Sequence, residues 1–302
     1  MSSRNDAYKV YEIPPFKQIF PYIMPRRVDS LVYQNMVLDL TETLKFIKKT
    51  RAADGRQYRV FEVVLAAVVR TIALRPELNR FIANYQYWQR KELSVNFVVK
   101  EDYTDEAPEH SMPLYFEAEM TLDEIAAIIN EAIITQRVIE STNLTDDAIL
   151  FFLKLPRFLI RFIFSWWRTG SRHGKLPQML RDADGLHTSV FVSNLGSIGL
   201  GGGSPHHHLY EWGTTSLFMT MGLLKRSRYM KGEQSLTRDT MEIGLTIDER
   251  ISDGFYLARS FKVLQDLLSN PHLLTERPIL PPPPLTKRQY KKKRKALRST
   301  TR

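Results

Sequence analysis

The sequence predicts an α+β fold in which a mixed β-sheet is covered by helices. Three observations favour this fold. Met241, Ile243, Leu245 and Ile247 alternate with more polar neighbours, as in a half-buried strand. Residues 59–74 are apolar on nearly every side, as expected for a helix at the centre of a domain. Strands and helices follow each other without a strict strand–helix–strand rhythm, which favours a mixed sheet over a purely parallel one.

The first half of the chain supplies strands and helices in turn. Residues 31–38 are rich in Val, Leu and Tyr and predict a strand, with Asp39 or Thr41 capping a short helix behind it. The buried helix of residues 59–74 ends before Pro76, because proline cannot continue the hydrogen-bond ladder. Residues 93–99 predict another strand.

The second half adds strands around one more long helix. Residues 121–124 form a Thr-Leu-Asp-Glu capping box that opens a helix reaching about residue 139. Residues 188–193 and 217–223 predict strands, and the alternating strand 241–247 leads into another helix. The apolar face of that last helix consists of Leu257, Phe261, Leu264 and Leu268.

Composition excludes several kinds of site. The chain has 302 residues, of which 43% are apolar, enough for a substantial core. It has no cysteine, which excludes disulfides, thiolate metal ligands and a cysteine nucleophile, and which fits a reducing compartment. No apolar stretch follows the charged N-terminus, so we predict no signal peptide and expect a cytoplasmic protein.

The positive charge is concentrated in the C-terminal tail. The formal net charge is +10, and residues 287–302 contain nine lysines and arginines and no acidic residue, which leaves +1 for the rest. Prolines 281–284 precede this tail and predict an extended spacer. We therefore divide the chain into a domain of residues 1–278 and a Pro-rich, then basic, disordered tail of residues 279–302. Nucleic-acid binding by the nearly neutral domain is not expected.

Residues 150–175 combine many aromatic side chains with six basic residues and no acidic one. The longest apolar run is well short of the ~20 residues that span a bilayer. Two interpretations remain open. The segment is either an amphipathic helix lying peripherally on an anionic membrane, or a helix that covers the core or a subunit contact and points its arginines outward.

Four short motifs resemble one enzyme superfamily when taken in order. They are Pro-Glu-Leu-Asn at 76–79, Ser-Asn-Leu-Gly at 193–196, an apolar strand at 217–222 and Asp-Glu-Arg-Ile-Ser-Asp-Gly at 248–254. This series is similar to the chloramphenicol acetyltransferase and dihydrolipoyl acyltransferase superfamily over residues 28–274. One position differs, since Glu249 stands where the family carries the histidine of its His-x-x-x-Asp-Gly motif.

The resemblance implies a homotrimer with active sites between neighbouring subunits, entered from one side by coenzyme A. It implies that Ser193 stabilises the oxyanion of the tetrahedral intermediate. It also implies that an arginine holds Asp253 in a structural ion pair, for which Arg27 is the candidate. The residues expected to contact substrate are Asn194, Gly196 and Gly254. No tightly bound cofactor is implied, because the coenzyme A thioester is a substrate. There is no room before Val28 for a lipoyl domain, so we do not expect the core of a dehydrogenase complex.

The base that would replace the family histidine is an open question. A free glutamate has a pKa near ~4.3 and a histidine one near ~6.5, so a glutamate base needs burial to raise its pKa. Glu249 is one candidate, unless it only joins subunits. The glycine-rich segment 201–208 offers His207 or His208 as another. These histidines have no acidic or cysteine neighbours in sequence, so we expect no metal site.

The sequence therefore predicts an acyltransferase that moves an acyl group from an acyl-coenzyme A thioester to a small acceptor. The alternative is a non-catalytic trimeric module for assembly or interaction, with a peripheral membrane contact as an open option. A weaker option is nucleic-acid binding through the basic tail, residues 287–302.

Overall fold

The computed structural model describes residues 4–100, 109–139, 154–177, 181, 184–200 and 205–300. The strands are β1 (Ala7–Lys9), β2 (Leu31–Asp39), β3 (Arg80–Ala83), β4 (Gln86–Arg90), β5 (Leu93–Lys100), β6 (Glu109–Phe116), β7 (Val190–Asn194), β8 (Leu217–Lys231) and β9 (Gln234–Asp248). The helices are α1 (Pro15–Gln18), α2 (Phe20–Ile23), α3 (Thr41–Asp54), α4 (Val60–Leu74), α5 (Leu122–Ile139), α6 (Arg157–His173), α7 (Gly254–Ser269) and α8 (Lys287–Thr300).

A six-stranded mixed sheet forms the centre of the fold, with the strand order β2-β9-β8-β7-β5-β6. The short strand β7 runs parallel to both neighbours, β5 and β8, whereas the other pairs are antiparallel. The predicted α+β fold with a mixed sheet and covering helices is confirmed. A separate small sheet, β1-β4-β3, was not predicted, because strands of three to five residues leave little periodicity to detect.

Helix α4 is the centre of the core, as its apolar surface predicts. Its residues from Glu62 to Ile72 are all buried, and it contacts α5, α7 and the sheet. Glu62 is a buried carboxylate in this helix. It accepts a hydrogen bond from the Arg59 backbone N–H at 2.9 Å and so caps the start of the helix. The Thr121–Glu124 capping box of α5 is also present, with the Thr121 N–H 2.7 Å from Glu124 Oε2. The core therefore lies on one face of the sheet.

The C-terminal tail differs from the expectation of disorder, because residues 287–300 form α8. Lysine, arginine, glutamine, alanine and leucine all have good intrinsic helix propensity, and Gln289 caps the helix by accepting from the Thr286 N–H at 2.9 Å. The helix is also docked on the N-terminal segment. Lys293 Nζ lies 2.6 Å from Glu12 Oε1, and the rings of Tyr290 and Tyr11 stack 5.9 Å apart. The division of the chain at residue 278 stays a prediction.

Helix α6 lies within the segment for which two interpretations were open. Its Trp167 packs against Trp212 with ring centroids 5.5 Å apart, so the face of the helix that bears Trp167 packs against the rest of the protein. Residues 150–153 lie outside the described residues. Within the described residues, no helix is both long and apolar enough to cross a membrane.

Candidate active site

Ser193 lies near the end of β7, on the face of the sheet opposite the core. Val190 and Val192 point into the core, so the alternation of the strand turns Phe191 and Ser193 to the other face. The Ser193 side chain is half-buried. Its hydroxyl has no hydrogen-bond partner in the described part of the chain, so it is available to a ligand.

The histidine segment, residues 205–208, is held over this same face by contacts with β8. Ser193 is paired in the ladder with Thr220 of β8, and Thr220 Oγ1 donates a hydrogen bond to the Pro205 carbonyl at 2.5 Å. Two residues before Thr220, Phe218 lies on the same face of β8, and its ring stacks on the ring of His207 at a centroid distance of 4.2 Å. The segment that begins at Pro205 therefore crosses the sheet beside Ser193. Residues 201–204, the glycine-rich residues before this segment, lie outside the described residues.

The contacts of His207 select one tautomer of its neutral ring. Nδ1 lies 2.7 Å from the His208 carbonyl oxygen, which can only accept, so Nδ1 carries the proton. Nε2 is then the acceptor, 3.4 Å from the Tyr210 hydroxyl. The His208 ring stacks on His207 at 4.7 Å and is exposed. In this tautomer of the neutral ring, Nε2 is the nitrogen that could act as a general base.

The turn after Ser193 lines a groove beside β8. Asn194 and Gly196 line this groove together with Phe61 and Met221, and its volume is about 260 Å³. Gly196 also packs closely, since a Cβ at this position would lie 2.5 Å from the Gly222 carbonyl oxygen. The glycine thus has a packing reason of its own. Substrate contact by Asn194 and Gly196 stays a prediction.

Glu249 lies just beyond β9, and its side chain is exposed in the single chain. The burial that a glutamate base needs is therefore not supplied by its own chain. Arg250 points away from it, being buried and paired with Asp248 at 2.7 Å. The two neighbouring side chains therefore face opposite sides.

Ser193 and Glu249 do not meet within one chain. The ladder aligns Ser193 with Thr220 and Thr220 with Gly244, five residues before Glu249. With a rise of about 3.3 Å per residue and a strand spacing of about 4.8 Å, the two side chains are roughly 20 Å apart. Any reaction that uses both needs a second copy of the chain.

The predicted ion pair between Arg27 and Asp253 is wrong. Arg27 donates to the carbonyl oxygens of Tyr210 and Gly213, each at 3.0 Å, so its guanidinium is held by the segment after the histidines. Asp253 instead accepts from Lys17 Nζ at 2.7 Å and from the Tyr256 N–H at 2.8 Å. Sequence could not place Lys17 beside Asp253, because the two are 236 positions apart.

Asp253 is thus the N-cap of α7, and its pKa is lowered, first by the hydrogen bond from Lys17 and then by the Tyr256 N–H. Gly254, which follows it, has open space around its missing Cβ, and substrate contact by Gly254 stays a prediction.

We expect Asp253→Ala to lower the free energy of unfolding by about 1 kcal/mol at neutral pH, the usual cost of a lost N-cap. A lowered pKa means that this contribution is complete above the ordinary value of 3.8 and is lost as the pH falls through the folded value. Urea denaturation at pH 7 and pH 3 measures both effects. Asp253→Asn is the matched control, since asparagine caps equally well. An asparagine variant as unstable as the alanine variant would show that the Lys17 contact matters more than the cap.

A buried polar cluster around Arg90 was not predicted from the sequence. Arg90 is buried and donates to the carbonyls of His187 and Thr214 at 2.8 and 2.6 Å. Burial lowers the pKa of His187 to about 3, so this histidine is neutral. Burial also raises the pKa of Asp184. Isolated arginines and histidines carry no spacing signal, which is why sequence patterns did not reveal the cluster.

Residues 172–276 match the family of 2-oxoacid dehydrogenases acyltransferase (catalytic domain). This part of the chain contains Ser193, the histidine segment and Glu249. No curated protein matches the chain significantly.

Solved structures resemble nearly the whole chain. A probable dihydrolipoamide acetyltransferase from Listeria monocytogenes is 14% identical, with 87% of this chain and 95% of that chain covered and a TM-score of 0.54. The Azotobacter vinelandii dihydrolipoamide acetyltransferase is 18% identical, with 88% and 94% covered and a TM-score of 0.55. The cubic core of a pyruvate dehydrogenase multienzyme complex is 18% identical, with 88% and 94% covered and a TM-score of 0.54.

The chain has the fold of these dihydrolipoamide acetyltransferase structures. The resemblance predicted from the four motifs is confirmed, and the substitution of Glu249 for the family histidine stands within a matched region.

Proposed function

We propose that the protein is an acyltransferase that moves an acyl group from a coenzyme A thioester to a small acceptor. The observation that carries this proposal is the hydroxyl of Ser193, which has no hydrogen-bond partner among the described residues and lies half-buried on the face of the sheet that the histidine segment crosses. The match of residues 172–276 to an acyltransferase family supports the same reaction class. The Azotobacter vinelandii structure concerns the roles of a serine, a histidine and an asparagine in the catalytic mechanism of its acetyltransferase.

In the proposed reaction the acceptor attacks the thioester carbonyl and forms a tetrahedral intermediate. Its carbonyl oxygen becomes an oxyanion, and Ser193 Oγ donates a hydrogen bond to it. The intermediate then collapses, breaks the carbon–sulfur bond and releases coenzyme A as the thiol. A group that takes the acceptor's proton at the first step and returns a proton to the sulfur at the second completes the cycle.

Two groups are candidates for this base. His207 lies over the same face of the same chain as Ser193 and presents an unprotonated Nε2. His208 is stacked beside it. Glu249 can reach a Ser193 site only from another copy of the chain, which agrees with the homotrimer that the family resemblance implies. In such an assembly, contact between the subunits would bury the Glu249 side chain, which is exposed in the single chain.

Release of thiol from acetyl- and longer acyl-coenzyme A, with a panel of small alcohols and amines as acceptors, tests the function. We expect Ser193→Ala to lower kcat about 10²–10³-fold, as for the loss of one oxyanion donor. Ser197→Ala is the matched control, because Ser197 lies on the next turn but its hydroxyl is already bonded to the Asn194 carbonyl at 2.6 Å. Equal rates for the Ser193 and Ser197 variants would reject the oxyanion role. No thioester binding by the wild type would favour a non-catalytic assembly module.

The base is identified by three further variants. If Glu249 is the base, Glu249→Gln abolishes the reaction and His207→Ala and His208→Ala do not, and the reverse holds for a loop base. A subunit-mixing experiment then tests the shared site. Trimers assembled from equal amounts of Ser193→Ala and Glu249→Gln chains would recover about one quarter of wild-type activity if each site takes one residue from each neighbour. No recovery, with mixed trimers verified, would reject the shared site.

A further inference from the structure

A second cavity lies away from Ser193, where the C-terminal end of α6 meets the N-terminal segment and the β3–β4 turn. Its volume is about 150 Å³. Four arginines line it: Arg27, Arg168, Arg172 and Arg250. Glu211 is the one carboxylate among its described lining residues. The cavity is therefore strongly cationic.

Among the described residues, a carboxylate contact neutralises only one of these arginines. Arg250 forms a buried pair with Asp248 at 2.7 Å. Among the described residues, neither Arg27, Arg168 nor Arg172 has a carboxylate oxygen within 4.0 Å. Glu211 is itself engaged, accepting a hydrogen bond from the Val28 N–H at 3.0 Å. Three cations thus face one carboxylate, and an anion of more than one charge would balance the cavity.

Arg27 brings a buried nitrogen without a hydrogen-bond partner in the described part of the chain. Its side chain is only 6% exposed, and burial lowers its pKa. Two of its nitrogens donate to the carbonyls of Tyr210 and Gly213, whereas Nε is buried without a partner in the described part of the chain. A buried donor on a charged group that lacks a partner costs free energy, which a bound anion would remove.

The backbone at the end of α6, which carries two of these arginines, is held in place by the fold. Arg4 donates to the carbonyls of Ser171 and Arg172 at 2.8 and 3.1 Å, which fixes the last turn of the helix. Gly174 then ends α6 in the left-handed conformation, with φ +67°. Arg168 and Arg172 lie one turn apart, so both reach the cavity from the same side of the helix.

The same helix exposes an aromatic stripe. Phe158, Phe162 and Trp166 recur every four residues and are 75%, 68% and 63% exposed. The stripe ends two residues before Arg168. Aromatic side chains of this kind occur where proteins lie in a membrane interface, with arginine at the depth of the lipid phosphates.

We propose that this cavity binds a phosphate group. Arginine forks match the oxygens of a phosphate, and a phosphate monoester carries the charge that the cavity lacks. The group can belong to a free phosphate ester or to the headgroup of an anionic phospholipid, with the aromatic stripe of α6 lying in the lipid. The site is independent of the proposed acyl transfer, since it uses none of Ser193, His207, His208 or Glu249.

Calorimetric titration with inorganic phosphate, at constant ionic strength maintained with chloride, tests the site. We expect saturable binding by the wild type and at least about tenfold weaker binding by the Arg168→Ala/Arg172→Ala double variant. Arg161→Ala is the matched control, because Arg161 lies exposed on the same helix but does not line the cavity. Arg27→Lys, which keeps the charge and loses Nε, is expected to weaken binding as well. Circular dichroism and the Tm verify that each variant is folded.

Two results would overturn the site. One is the absence of saturable phosphate binding by the wild type. The other is an equal loss in Arg161→Ala and the double variant, which would mean that only general positive charge attracts the anion.

Vesicle sedimentation distinguishes the two sources of phosphate. The vesicles are phosphatidylcholine with and without phosphatidic acid. A lipid source is supported if the wild type sediments only with phosphatidic acid, the double variant does not, and Phe162→Ala loses sedimentation but keeps binding of inorganic phosphate. A free ester is supported if phosphate binds but no vesicle does. Sedimentation that the double variant retains, together with no phosphate binding, would overturn the proposal.

Discussion

Asp248→Asn is expected to lower the free energy of unfolding by about 3–5 kcal/mol, the usual cost of removing one partner from a buried ion pair. Asp248 is fully buried, and its carboxylate accepts from Arg250 Nε and Nη2 at 2.8 and 2.7 Å. It also accepts from the Ser30 hydroxyl at 3.0 Å, which joins the end of β9 to the start of β2. Asparagine has the same shape but no charge, so Arg250 would remain buried and uncompensated.

The measurement is urea denaturation followed by circular dichroism. Asp29→Asn is the matched control, because Asp29 forms an exposed pair with Arg26 at 2.8 Å, where water screens the charges, and its loss is expected to matter little. A similar small effect of both substitutions would show that water or a rearranged neighbour compensates Arg250. The Asp248 variant would also displace Glu249, so its acyl transfer is expected to fall with its stability.

Local patterns were sufficient to predict the main elements of the fold. The alternation of Met241 to Ile247 identified β9, and the all-round apolar surface of residues 59–74 identified α4, because each pattern is set by one element and its core face. The capping box at Thr121 was read correctly for the same reason, since its partners lie within four residues. The family resemblance then supplied the order in which these elements assemble.

Contacts between distant parts of the chain could not be predicted in this way. Arg27 was matched with Asp253 on charge and family pattern, yet in the fold it binds carbonyl oxygens at 210 and 213 and Asp253 is held by Lys17. The sequence of the tail also does not predict where α8 docks, because α8 contacts Glu12 and Tyr11 near the other end of the chain. These pairings are consequences of topology, which spacing does not encode.

Gly213→Ala is the substitution that tests how the segment behind the histidines is supported. Gly213 has φ +74°, and a Cβ there would overlap the carbonyl oxygen of Leu186. That oxygen cannot move away easily, since it accepts hydrogen bonds from the backbone N–H groups of Thr214 and Thr215 at 2.8 and 3.0 Å. Strained backbone and overpacking together are expected to lower the free energy of unfolding by about 2–5 kcal/mol.

Gly55→Ala separates these two causes. Gly55 has nearly the same φ, +77°, at the end of α3, but nothing lies within 4 Å of its missing Cβ. Its replacement therefore measures the backbone strain alone, about 1–2 kcal/mol. The excess loss in Gly213→Ala, determined by urea denaturation, is the cost of the Leu186 contact, and equal losses would show that this contact relaxes. Because the Gly213 carbonyl also holds Arg27 at 3.0 Å, the same variant is expected to weaken phosphate binding, whereas Gly55→Ala is not.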